Sequence, residues 1–173
     1  MKEVGSSYLS FEKKLDVKSL RQLVKQETGL QVRRMDSFTL IALLAVYRAK
    51  GNIELSENSG LYSCADYFSS DSMQSMLIDV DQSNPIKPLS FVASVGNAAN
   101  YYIANTYAID GPNVFIGSSK QAIGKNELLA ETDMSLGLIE CAILLVWQED
   151  ENQRECWAKI IKNDGFFGER GVI

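Results

Sequence analysis

The residue whose position holds the most chemistry is Lys120. The run Val114-Phe115-Ile116 is apolar and bounded by turn residues, which predicts an interior strand; Gly117-Ser118-Ser119 ends it, and Lys120 opens the next predicted helix. A strand-to-helix elbow sets its side chain over the free N–H groups and the positive end of a helix, where an anion such as a thiolate is favoured. A lysine ammonium there meets a field of its own sign. Two readings follow for Lys120, flanked by Ser119 and Gln121. It is an amine of depressed pKa able to attack carbonyls, or the position has lost its nucleophile and the lysine points to solvent or to a partner's carboxylate. The second carries the greater weight.

Cys64, at the end of a predicted strand from Ser59 to Ala65, is the other candidate nucleophile. No imidazole is present to activate it, because the chain contains no histidine. A strand-end cysteine is far more often a small buried hydrophobe. A zinc site would have to draw nearly all its ligands from Cys64, Cys141 and Cys156, which lack CxxC spacing. Neither a metal nor a cofactor is expected.

The elements that must position these residues are legible in order. Lys2 to Ser10 reads as a short first strand. Leu15 to Gln26 reads as an amphipathic helix, helped by Asp16 in its first turn and closed by Gly29. Asp36 suits the N-cap of a second helix, whose Phe38, Ile41, Ala42, Leu44, Ala45 and Tyr47 leave little polar face. Such a helix should lie between a sheet and another layer. Met73, Met76, Leu77, Ile78 and Val80 have the spacing of a helical turn or two, fitting the edge of a core or a groove for an acyl chain or partner. Asn97 to Ile109 reads as a helix buried on more than one face, with Gly111 as its C-terminal cap before Pro112. Beyond Lys120 come a helix from Ala122 to Glu131 and strands from Cys141 to Trp147 and Glu155 to Lys162. In the last strand Cys156, Ala158 and Ile160 alternate with Trp157, Lys159 and Ile161.

The words Gly111-Pro112-Asn113, then a strand, then a small-residue elbow into a helix, resemble the β-ketoacyl synthase branch of the thiolase superfamily. In that family the nucleophilic cysteine lies nine positions beyond the glycine of the Gly-Pro pair, and nine beyond Gly111 is Lys120. Arg33-Arg34-Met35-Asp36-Ser37-Phe38 resembles the Arg-Arg-Met-x-x-Phe segment of synthases, and Gly137 and Glu140 before Cys141 continue the likeness. The resemblance implies an α/β fold, half of a thiolase-like fold (βαβαβαββ), with a mixed sheet of about five strands and helices on both faces. It implies a domain over residues 1–163 and a C-terminal tail over 164–173. It also implies that the strand Asn113, Val114, Phe115, Ile116 and Gly117 pairs with its mate across a dimer two-fold.

The condensing synthases use two histidines, or a histidine and an asparagine, from a C-terminal half; this chain has no histidine and reads as one half alone. The expected function is therefore a non-catalytic β-ketoacyl synthase-like subunit of bacterial fatty acid or polyketide biosynthesis, including aryl polyenes, akin to chain-length factors. Such factors commonly have glutamine at the nucleophile position; here Gln121 lies one place later. An acyltransferase-type enzyme using Lys120 or Cys64, and a free-standing oligomeric scaffold or binding protein, remain open. The partners expected are a second copy or an active ketosynthase, and an acyl carrier protein.

The totals bound these readings. A length of 173 residues fits one domain, and fractions of 46% apolar and 23% charged are those of a globular protein. A net charge of −5 argues against a nucleic-acid surface. No apolar run is long enough to span a membrane, and Met1 to Ser10 lacks a signal-peptide pattern. Three cysteines without paired spacing point to a reducing, cytoplasmic compartment. Phe166-Phe167 in the tail reads either as a docking tag or as a frayed end.

Overall fold

A computed structural model describes residues 1–66, 70–86, 88–117 and 122–163. Lys120, Ser119, Gln121 and the tail with Phe166-Phe167 lie outside these described residues. The chain opens with β1 (Lys2–Glu12), longer than its weak apolar pattern predicts. Helix α1 (Val17–Thr28) follows, its N-terminus capped by Asp16, which accepts from the backbone N–H groups of Lys18 and Ser19 at 2.9 and 3.0 Å. Gly29, at φ 71°, closes it by donating to the Lys25 carbonyl.

Helix α2 (Ser37–Lys50) is capped by Asp36 and is buried along nearly its whole length, from Phe38 through Val46. It lies between β1, β4 and β5 on one side and α1 and α5 on the other, the sandwich its composition requires. Its backbone sits hard against β1: a β-carbon on Gly5 would stand 2.1 Å from the Ala49 carbonyl oxygen.

Strand β2 (Ser59–Ala65) is followed by α3 (Ser70–Asp81), α4 (Pro88–Ala93), α5 (Ala98–Tyr107) and β3 (Asn113–Gly117). Helix α6 (Ala122–Ser135) then leads to the hairpin of β4 (Cys141–Glu149) and β5 (Gln153–Lys162). The five strands form one mixed sheet in the order β1-β5-β4-β2-β3. Strand β2 runs parallel to β3 and β4; β4–β5 and β5–β1 are antiparallel. Helices lie on both faces, α1, α2 and α5 on one and α6 on the other. The order of elements is the βαβαβαββ that the resemblance implies.

Two local expectations are corrected. The run 114–116 is an edge strand, not an interior one: among the described residues β3 pairs with β2 alone, and it is apolar because α5 and α6 flank it. Gly111 does not cap α5. Ala108 does so in the left-handed region, at φ 51°, donating to Ala104. Gly111 is required by space instead, since a β-carbon there would lie 2.3 Å from the Ser59 carbonyl oxygen. Helix α5 is buried on more than one face, against α2 and against β2 and β3, as its spacing predicts, but Tyr101 is exposed.

Two glycines separate packing from propensity. Gly5→Ala is expected to cost about 1–3 kcal/mol through overpacking against α2. Gly124→Ala, inside α6 with open space around its β-carbon, is expected to stabilise by about 0.5–1 kcal/mol. Urea unfolding should move the two midpoints in opposite directions at an unchanged slope.

Candidate functional site

The carboxyl ends of β2 and β4 and the first turn of α6 enclose a cavity of about 300 Å³, lined by Cys64, Asp66, Ala122, Ile123, Val146 and Gln148 among others. Strand β2 is buried throughout and alternates its side chains between the two helical layers. Ser63 faces α5, where its hydroxyl donates to Asn100 Oδ1 at 2.7 Å. Tyr62 and Cys64 face α6.

Tyr62 is fully buried and donates to Asp133 of α6 at 2.5 Å, which pins the helix across the sheet. Burial, and then the neighbouring carboxylate, push its phenol well above the usual range. The far end of α6 closes on Gly137 at φ 68°: Leu138 donates to the Asp133 carbonyl and Gly137 to that of Met134, a Schellman ending.

Cys64 is 4% exposed, and burial pushes its thiol up to about 11; Asp66 adds to the rise and the Asn126 amide opposes it. At neutral pH the group is a thiol, and the thiolate is the nucleophile. Cys141 and Cys156 are buried on the sheet with their pKa values raised by burial, and neither lies at this cavity. The structure therefore brings Cys64 beside Ala122 and Ile123 at the start of α6, with its thiol pKa raised by burial. The flanks of position 120 are Gly117, which ends β3, and Ala122, which begins α6. Among the described residues, no group of three or more histidine, cysteine, aspartate or glutamate side chains is placed to hold a metal ion.

Two polar residues at the site escaped the sequence pattern. Asn100 of α5, 1% exposed, donates to Asn113 Oδ1 at 2.9 Å and to the Val114 carbonyl at 3.2 Å, tying the edge strand to the helix layer. Asn126 of α6, 3% exposed, stands beside Cys64, and its amide is the group that opposes the rise of the thiol's pKa. For Asn100, an asparagine inside an apolar helical stretch is the signal that could have marked it; Asn126, between Lys125 and Glu127, has no such signal.

No protein-family model matches the sequence, and no curated protein matches it. Solved structures do match. The ishigamide ketosynthase/chain length factor aligns at TM-score 0.71 and 14% identity, over 82% of this chain and 48% of that one. The fold is that of the ketosynthases. A chain from the complex of a ketosynthase with its chain length factor from Xenorhabdus doucetiae aligns at TM-score 0.68 and 9% identity, over 95% of this chain and 80% of that one. A third match comes from a type II polyketide synthase acyl-carrier protein in complex with its ketosynthase, at TM-score 0.62 and 12% identity, over 94% and 63%. This chain thus spans about half the length of the first ketosynthase relative and four-fifths of the second. Its architecture is one half of a thiolase-like, ketosynthase-type fold.

The state of Cys64 has a direct measurement. Alkylation of Cys64 in the native protein, followed by peptide mass, should speed up about tenfold per pH unit from pH 7 to 9.5 without a plateau. Asn126→Leu removes the amide that opposes the rise and should slow the reaction further at each pH. A plateau near neutral pH would reveal a thiolate.

Proposed function

We infer that this chain is a non-catalytic ketosynthase-like subunit of the chain-length-factor type, working beside an active ketosynthase in bacterial fatty acid or polyketide assembly, aryl polyenes included. The observation that carries the reading is the chemistry at the elbow. The one described thiol there is held protonated by burial, the synthase nucleophile position is a lysine in this sequence, and the chain has no imidazole to serve either. The raised pKa of Cys64 weighs against catalysis through it, while the acyltransferase alternative stays open to the test below. Residues 1–163 form the ketosynthase N-terminal-like unit on this reading, with 164–173 as its tail.

Two surfaces support a partner. Strand β3 is an edge whose outer backbone groups face no strand among the described residues, and its half-buried Val114, Phe115 and Ile116 suit pairing with a ketosynthase or a second copy along Asn113–Gly117. Helices α3 and α4 expose Leu77, Val80 and Phe91, and Val95 just beyond α4 is exposed too, each close to half exposed or more. Apolar surface of this kind marks interaction sites. The Met73 groove expectation fares similarly, since Met73 is exposed while Met76 is buried. Among the described residues no helix is long and apolar enough to cross a membrane. Buried cysteines outside any disulfide support a reducing, cytoplasmic setting.

Co-expression with a ketosynthase and an acyl carrier protein, followed by gel filtration and intact mass after incubation with an acyl thioester, tests the reading. The expected outcome is co-elution with the ketosynthase and acylation of the ketosynthase alone. An acyl adduct on this chain, abolished by Lys120→Ala or Cys64→Ala, would establish the acyltransferase alternative instead.

A further inference from the structure

Charge is not spread evenly along this chain. The stretch from Lys13 to Arg34 carries seven lysine and arginine side chains against two carboxylates, Asp16 and Glu27, in a chain whose net charge is −5. It is a cationic segment in an acidic protein, and it forms α1 and the turn that leads towards α2.

Both of its carboxylates are already committed. Asp16 caps α1 and accepts from the Ser19 hydroxyl at 2.6 Å, and Glu27 holds the Arg48 guanidinium through two hydrogen bonds of 2.7 and 2.8 Å. Lys13 and Lys14 are paired with Glu149 and Glu12 at 2.9 and 3.0 Å. That leaves Lys18, Lys25, Arg33 and Arg34, all exposed, with no ion-pair partner among the described residues. Asp16 stands near Lys18, but the cap occupies it.

These four cations lie together. Lys18 and Lys25 are seven positions apart on α1, so they share one side of the helix about 10 Å apart along its axis. Between them Arg21, half-buried, donates from Nε and Nη2 to the Met35 carbonyl at 3.1 and 2.7 Å. That contact holds the Arg33-Arg34 turn beside α1. The turn is anchored at both ends, with Val32 4% and Met35 7% exposed. Between the anchors Arg34 has left-handed backbone, φ 71°, which glycine or asparagine would adopt at less cost. Strain kept at an exposed charged residue points to a use for its side chain.

The kind of partner follows from what surrounds the cations. No Phe, Tyr or Trp occurs from Lys13 to Arg34, so no ring is there to stack nucleic-acid bases. Leu20 and Val24 of α1 are buried in the core, and Val17 is its one exposed apolar side chain, too little to enter a lipid surface. A long polyanion or a membrane would also extend past the patch onto the rest of the chain, which is more negative than the whole. A compact acidic protein would not. A helix with carboxylates seven residues apart repeats the Lys18–Lys25 spacing, and arginine takes a carboxylate through two hydrogen bonds.

We propose that α1 and the Arg33-Arg34 turn form a docking surface for an acidic helix of a partner protein, whose carboxylates pair with Lys18, Lys25, Arg33 and Arg34. The surface lies on the sheet face opposite α6. It is independent of the functional reading above, since neither the elbow chemistry nor the β3 edge takes part in it.

The test uses the full chain and a labelled helical peptide of about twenty residues with glutamate repeated at i, i+3, i+4 and i+7, read by fluorescence anisotropy at low salt. The glutamate peptide should bind, its glutamine counterpart should not, and added salt should weaken the binding. Arg33→Glu with Arg34→Glu, and separately Lys18→Glu with Lys25→Glu, should each weaken it about tenfold, whereas Lys125→Glu on α6 should leave it within about twofold. Arg34→Gly relieves the left-handed backbone, so the urea midpoint should hold or rise while peptide binding weakens several-fold. No binding of the glutamate peptide, or equal weakening by Lys125→Glu, would overturn the proposal. So would an Arg34→Gly variant that lowers the midpoint and leaves binding intact. Tighter binding of a single-stranded oligonucleotide, or of vesicles of phosphatidylserine and phosphatidylcholine, would overturn it in favour of a nucleic acid or a membrane.

Discussion

The structure depends on the burial of α2. From Leu40 to Val46 every side chain is 3% exposed or less, and a helix without a polar face has no stable position except between two layers. Each of its large aliphatic side chains contributes about 1.5–3 kcal/mol by leaving water. This one demand brings β1, β4 and β5 onto one side of α2 and α1 and α5 onto the other. It also explains why β1 has glycine at position 5, where the Ala49 carbonyl approaches more closely than any β-carbon permits. Because α2 takes one face of β1, β4 and β5, the opposite face is left to α6, which sits towards β2. The uneven cover of the sheet follows from that division.

Much of this was legible because local chemistry and global packing agree. Asp16, Gly29 and Asp36 act within a turn of where they stand, so a cap can be read without knowing the fold. The alternation of Cys156, Ala158 and Ile160 with Trp157 and Lys159 is a period-two signal that tertiary context did not override. The misreadings share a cause of the opposite kind. Whether 114–116 is an edge or an interior strand depends on a neighbour that sequence does not display, and flanking helices gave an edge strand the apolar look of a central one. Gly111 lies near enough to α5 to resemble its cap, but its reason for being glycine is the Ser59 backbone, 52 positions earlier in the chain.

The candidate site divides along the same line. That no histidine exists is a fact of composition, and it bounds the chemistry before any fold is known. The polar supports are different. Tyr62 meets Asp133 71 residues away, and Ser63 meets Asn100 at a separation of 37. Neither pair has a periodicity to announce it. Each nevertheless determines where a helix lies, because a buried hydroxyl without a partner is costly and the partner fixes the geometry.

The same physics accounts for the raised pKa of Cys64. A helix amino terminus favours an anion by a field that falls off within its first turn, and in a solvated cleft that can suffice to draw a thiol towards thiolate. Here the thiol lies on β2, inside the sheet-helix interface where desolvation is the largest influence. The Asp66 carboxylate beside it raises the cost of a second negative charge, and the single amide of Asn126 opposes that only in part. Desolvation wins, and the cysteine behaves as a small apolar side chain. The packing of β2 against α6 gains from the neutral thiol: an ionised one would need water or a donor in a layer held together by Tyr62, Ala130, Met134 and Leu144.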